Sequence, residues 1–291
     1  MSLGRRARGF TLTELAVVLA IVGLLLGAMM LTFSAQVEIR DRGDTQRRLD
    51  DAKELLLGFA IVNGRLPCPA TCANPPACTA GSLGDENPAG GGTCATYRAG
   101  YLPARAIGFQ PTSGSGFALD AWGNPIRYAV ASTADTSTAA CPAIAPVSPP
   151  SLPAAAAYWS PPFTTATATG IPNSPTFMKA NGVACRTGEI APGVPDLLLC
   201  SAAQAGTSCA AGQSVTNQNT VAAIVFSSGK NGAAAIPAAN TNELENTDGD
   251  AVFVYRAPDP STAAGGEYDD LTMWIPVGLL YGRLTAAGVL P

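Results

Sequence analysis

Gly9-Phe10-Thr11-Leu12-Thr13-Glu14 lies between a basic leader, with Arg5, Arg6 and Arg8, and a long apolar run, and that order decides how the chain is read. From Leu15 to Leu31 there is neither a charged residue nor a proline. Phe10, Leu12, Thr32 and Phe33 extend the run to roughly the length a helix needs to cross a bilayer. Lys and Arg are retained on the cytoplasmic side, so the leader is expected inside and everything after Phe33 outside. One carboxylate, Glu14, then stands at the edge of a membrane helix. An ionised group in an apolar helix costs about 2.5–3.5 kcal/mol at the centre on insertion scales and less near the ends, so a cationic partner is expected.

A secretory signal carries its small-residue cleavage site after the hydrophobic core, whereas here Gly9 precedes the core. The segment resembles the processing site of type IV pilins and of the pseudopilins of type II secretion. The resemblance implies that a prepilin peptidase cuts between Gly9 and Phe10 and that the new Phe10 amine is N-methylated. It also implies that the retained helix assembles subunits, with Glu14 neutralising the Phe10 amine of a neighbour. The alternative for Glu14 is a carboxylate resting in the headgroup layer of a simple signal anchor.

Composition agrees with an exported structural subunit. The chain carries 17 basic and 21 acidic residues, a formal charge of -4, and without the three leader arginines 14 face 21, or -7. No nucleic-acid footprint is present. The absence of histidine removes triads with a His base and the usual His-containing zinc sites, which lowers the expectation of an enzyme. The eight cysteines, Cys68, Cys72, Cys78, Cys94, Cys141, Cys185, Cys200 and Cys209, all follow the apolar run. An oxidising periplasm would pair them, and the spacing of the first three lacks the paired Cys-x2-Cys knuckles of a zinc site. Cys68, Cys72, Cys78 and Cys94 are expected to close among themselves, and the later four to make the remainder.

After Phe33 the pattern turns amphipathic: Leu49, Ala52, Leu56, Phe59 and Ala60 recur at helical steps, with Arg47, Arg48, Asp50, Asp51 and Lys53 on the other face. One helix over residues 10–63 is expected, about 80 Å long at 1.5 Å per residue, with its transmembrane part at about 12–33. Asn63-Gly64 and Pro67 stop it, and Gly43 is expected to bend or melt it.

Residues 65–100 form a loop rich in Pro, Gly and Cys, with Gly90-Gly91-Gly92 outside any regular element. Asp120-Ala121-Trp122-Gly123-Asn124-Pro125-Ile126-Arg127-Tyr128 reads as a turn feeding a strand in which Ile126, Tyr128 and Val130 alternate, with Trp122 and Tyr128 in the core. It resembles the Asp-Pro-Trp-Gly-x-Pro-Tyr-x-Tyr stretch of the major pseudopilin, from which Ala121 and Ile126 depart. Ser132 to Pro175, rich in Ala, Ser, Thr and Pro, reads as a long surface excursion anchored by Ala157-Tyr158-Trp159. Strands are expected at 196–200, 220–226, 251–255 and 271–275, and a short helix after Pro276 with Leu280, Tyr281 and Leu284 on one side. The fold class is α+β: a leader (1–9), a long N-terminal pilin-like helix (10–63) with a membrane-embedded first half, and a periplasmic, disulfide-containing domain (64–291). In that domain the helix packs on a mainly antiparallel β-sheet with long loops.

The best ligand candidate is the acidic stretch Glu243 to Asp250. Calcium needs several oxygen ligands, and Glu245, Asn246, Asp248 and Asp250, completed by Asp269 and Asp270, can supply them. An EF-hand is excluded, because Ala251 and Ala257 stand where glycine and the closing Glu belong. The resemblance adds that the major pseudopilin holds calcium in an acidic C-terminal loop. Solvated turn residues are the alternative. Ser227-Ser228-Gly229-Lys230-Asn231-Gly232 lacks phosphate-loop spacing and reads as a turn.

These features lead to a non-catalytic pilin-like subunit, more in keeping with a minor or tip-proximal one, in a pseudopilus or type IV pilus. It would be a single-pass inner-membrane protein with a cytoplasmic N-terminus until assembly. Its implied partners are other pilin or pseudopilin subunits, the prepilin peptidase, and an inner-membrane assembly platform with its ATPase. Two rivals are an adhesin or recognition module on a pilin stem, and a signal-anchored periplasmic enzyme using Asp248 or Asp269.

Overall fold

The helical periodicity that begins just after the Gly9-Phe10 junction becomes one helix, α1, over Leu12–Asn63. It is seen in a computed structural model that describes residues 11–73, 80–90, 94–131 and 197–288, less 205, 207, 218, 219, 233–235 and 264, and that leaves the side chains of 26–35 and 80 undescribed. The leader with Gly9 and Phe10, the excursion from Ser132 to Pro175 with its Ala157-Tyr158-Trp159 anchor, Gly91-Gly92, and Cys78, Cys141 and Cys185 lie outside the described residues. The helix stops where its sequence says it should. Gly64 turns left-handed (φ 66°) and its N–H bonds Ala60 O at 2.8 Å, closing the last turn. Gly43, expected to bend or melt the helix, is itself helical.

The chain divides into two compact units, residues 1–43 and 44–291. In the first, the apolar side chains of 12–25 face outward, with Leu12 85% and Leu24 75% exposed. Among the described residues no helix is long and apolar enough to cross a membrane. The expected span at 12–33 is therefore not seen in full: residues 12–25 alone cover about 21 Å at 1.5 Å per residue, against about 30 Å of bilayer core.

In the second unit, Leu49, Ala52, Leu56, Leu57 and Ala60 of α1 are buried along one face, and Phe59 packs partly buried beside them. They join one core with the four-stranded sheet, which runs in the order β3 (Gly100–Tyr101), β4 (Arg127–Val130), β6 (Val221–Ser227), β8 (Leu271–Pro276), every neighbour antiparallel. Tyr128 lies opposite Val225, and Ile224 opposite Trp274. Central strand β6 is buried at all seven positions, as a strand covered on both faces must be. β4 shares that environment: Tyr128, Ala129 and Val130 are all buried, so the expected alternation does not appear as exposure. Trp122 departs from expectation as well. It lies half-exposed in its turn, outside the core, while Tyr128 is fully buried and donates its hydroxyl to Pro67 O at 3.2 Å.

Two smaller pairings complete the unit. β1 (Cys72–Ala73) and β2 (Ala80–Gly81) are antiparallel, but β5 (Leu198–Cys200) and β7 (Val252–Val254) run parallel. Parallel pairing needs a long connection, and the chain between β5 and β7, which contains β6, provides one. Short helices α2 (Ala104–Ile107) and α3 (Thr241–Glu245) lie between strands. C-terminal α4 (Val277–Ala286) follows an extended Pro276 and buries Val277, Leu280, Tyr281 and Leu284.

Disulfides Cys68–Cys94 and Cys200–Cys209 clamp the loops beside this core, and Cys72 is disulfide-bonded too. A buried ion pair reinforces the first clamp. Both Arg65 guanidinium nitrogens meet the Glu86 carboxylate at 2.7 Å, and Glu86 also accepts the N–H groups of Cys68 (3.2 Å) and Gly90 (3.0 Å). The guanidinium lies 5.1 Å from the centre of the Phe59 ring on α1. Nothing in the local pattern announced a pair whose members stand so far apart in sequence.

Candidate assembly and cation sites

α1 begins with a reciprocal cap. Thr11 precedes the first helical residue, and its backbone N–H and its hydroxyl each donate to Glu14 Oε2 at 2.9 Å. Glu14 returns its own N–H to Thr11 Oγ1 at 3.3 Å. This is the Ser/Thr-x-x-Glu capping box, in which the N-cap and third helical residues each satisfy a backbone donor left open at the helix start. Thr11-Leu12-Thr13-Glu14 carries that signature in plain sight, so Glu14 has a role within its own helix beside the assembly or headgroup-layer role expected of it. The carboxylate is exposed, and Gly9 and Phe10, the other residues of this predicted site, lie outside the described residues.

Five of the six predicted cation ligands divide between two groups instead of converging. Glu245, Asp248 and Asp250 bring one oxygen each within 4.8 Å of one another, and so do Glu243, Asp269 and Asp270. In the first group Asp248 Oδ1 accepts the N–H of Asp250 (2.9 Å) and Asp250 Oδ1 that of Val252 (2.7 Å), so each carboxylate also shapes its own turn. Glu245, at the end of α3, accepts the N–H of Gln204 at 3.1 Å. Burial raises its pKa to about 7, with the nearby charges of Asp248 and Asp250 adding to the effect. Burial raises Asp250 as well.

The second group is buried throughout. Glu243 takes donors from Asn231 (2.9 and 3.0 Å), Asn240 (2.9 Å) and the backbone of Asp269 (3.1 Å). Asp269 Oδ2 accepts the N–H of Lys230 at 3.0 Å, and its Oδ1 lies so close to Gly229, which has φ 60°, that any side chain there would collide with the carboxylate. Asp270 Oδ2 accepts from Asn246 Nδ2 at 2.7 Å, while its Oδ1 is buried with no hydrogen-bond partner. Burial pushes the Asp270 carboxyl well above its ordinary range, and Glu243 and Asp269 push it the same way.

Asn246 Oδ1 accepts the N–H of Val254 at 2.6 Å, so its side chain pairs with β7 as a piece of backbone would. Glu243 was within the acidic stretch but went unassigned, because only the fold brings it to Asp269 and Asp270. The turn at Ser227-Ser228-Gly229 serves the same region structurally. Ser227 donates its hydroxyl to Asp120 Oδ2 at 2.6 Å, and Asn124 Nδ2 donates to Gly229 O at 2.7 Å.

Residues 4–30 match the prokaryotic N-terminal methylation motif. The chain thus carries the signature of type IV pilins and pseudopilins, laid over the leader, the Gly9-Phe10 junction, the capped start of α1 and the apolar run. Comparison with curated proteins gives no match, and comparison with solved structures gives none.

Proposed function

We propose that the chain is a non-catalytic pilin-like subunit, minor or tip-proximal, that builds a type II secretion pseudopilus or a type IV pilus. The observation that carries this reading is the methylation motif over residues 4–30, with Glu14 in the first turn of a helix whose following apolar side chains face outward. The apolar run holds the subunit in the inner membrane as a single pass, leader inside and residues after Phe33 in the periplasm. Cleavage after Gly9 creates an amine at Phe10. Withdrawal into the filament lets the apolar helices bundle while Glu14 of one subunit meets the Phe10 amine of the next, with an assembly platform supplying the work. The identity of the mature N-terminus tests the reading.

A second element of the proposal concerns calcium. Three buried carboxylates, Glu243, Asp269 and Asp270, repel one another unless a proton or a cation offsets them, and Asp270 Oδ1 has a vacant acceptor position. The oxygen-only donor set suits a hard cation. Calcium held there would tie α3 to the segment entering β8. A melting comparison between calcium and chelator tests it.

A further inference from the structure

An open cavity of about 500 Å³ lies between α3 and the loop after β5, with Ala203, Gln204, Thr241, Leu244, Glu245 and Asp248 on its walls. We infer that it receives a primary ammonium on an aliphatic stem, the side chain of a lysine on a partner protein. Glu245 is only 7% exposed, yet it is one of the residues lining the cavity. Its Oε1 accepts the N–H of Gln204 at 3.1 Å, while among the described residues its Oε2 accepts no hydrogen bond. Among those residues no Lys or Arg forms an ion pair with Glu245, Asp248 or Asp250, and Arg98 acts on Asp250 only from a distance. A carboxylate so placed is ionised at a cost, which an arriving cation would offset. One oxygen each from Glu245, Asp248 and Asp250 lie within 4.8 Å of one another. Oxygens at that spacing can all meet a single nitrogen at about 2.8 Å, and an ammonium has three N–H donors to give them. The planar fork of a guanidinium suits a pair of oxygens better than a triangle. Ala203 and Leu244 supply apolar wall beside the carboxylates for the stem to cover. An ion alone would leave most of the cavity unfilled.

The test uses the full chain in detergent with chelator at pH 8, above the Glu245 pKa of about 7. The chelator removes divalent ions, so neither the calcium reading nor the pilin-like one enters the result. Nα-acetyl-lysine methylamide at about 0.1 M should raise the melting temperature by about 3 °C over the same concentration of its uncharged norleucine analogue, the shift expected for binding to the folded state alone in the ten-millimolar range. Glu245→Gln keeps an acceptor for Gln204 and should abolish the rise. Asp248→Asn, at an exposed position where folding is not at stake, should reduce it. Equal melting of the parent with the two amides, or a lysine response unchanged in either variant, would overturn the inference. A rise as large with tetramethylammonium, which has the charge but no N–H, would overturn it as well. So would a larger rise with cadaverine at equal ammonium concentration, which would give the cavity to a free diamine instead of a protein side chain.

Discussion

The molecule uses carboxylates in two opposite ways. Glu14 is exposed at a helix start, and both bonds to its carboxylate come from Thr11, three residues earlier in sequence. Glu243, Asp269 and Asp270 are buried, and apart from Asn240, three residues before Glu243, their side-chain and backbone partners stand farther off in the chain, at Lys230, Asn231 and Asn246. The first arrangement is written in a line of residues, and in the proposed filament its meaning depends on a neighbouring subunit. The second is written only in the folded domain, and it affects that domain's own stability. Changes at Glu14 should therefore alter assembly and leave melting untouched, whereas changes in the buried group should do the reverse.

The largest expected effect is on assembly. Glu14→Ala should leave the subunit stable and processed but reduce its incorporation by more than tenfold, since the neighbour's amine then lacks its counter-charge. Melting of the domain should not change. A fall in melting temperature would break the contrast between the two regions.

Within the domain, the buried Arg65–Glu86 pair should matter most. Glu86→Ala strands a buried guanidinium and the N–H groups of Cys68 and Gly90, so a loss of about 3–5 kcal/mol in denaturant unfolding is expected. A loss under about 1 kcal/mol would mean the pair is effectively solvated.

The buried carboxylate group should respond to calcium. Calcium should raise the melting temperature of the parent, because a ligand bound to the folded state alone stabilises it. Asp270→Asn should abolish that response and, in chelator, melt about 2–4 °C higher, as about 1 kcal/mol of carboxylate repulsion is relieved. Equal melting of the parent with calcium and with chelator would leave protonation as what offsets the charge.

The smallest effect concerns Glu245. Its folded-state pKa, about 7, lies above the ordinary 4.5, so the folded state binds the extra proton. The resulting stability is fully present below about pH 4.5 and is lost as pH rises through 7. In chelator, the parent should lose melting temperature between pH 5 and pH 8 by more than Glu245→Gln does. Parallel curves would show that Glu245 titrates normally.

What the sequence made legible follows the same division. The helix and its stop at Asn63-Gly64 could be read because periodicity and punctuation are local properties, and β6, β7 and β8 stood out as short apolar or β-branched runs. The parallel pairing of β5 with β7 could not be read, since a strand's own residues do not name its partner. The acidic stretches are visible in the sequence, but which of their carboxylates lie together is not. Alternating residues 246, 248 and 250 suggested one convergent loop, while burial of α3 sent Glu243 to one group and Glu245 to another, and Asn246 went to the edge of β7. A large aromatic such as Trp122 is expected inside, but its turn docks through backbone instead: Arg48 bonds Leu119 O and Asp120 O, and the Thr45 hydroxyl accepts the N–H of Ala121. The cap at Thr11 is legible in Thr11-Leu12-Thr13-Glu14, because a capping box is a local pattern.

The account stands most directly on the mature N-terminus. Mass spectrometry of the subunit extracted from membranes should find the chain beginning at N-methylated Phe10, with Met1 to Gly9 removed and the apolar helix retained. An intact leader, or a chain beginning after Phe33, would contradict the assignment of this protein to a pilin-like filament.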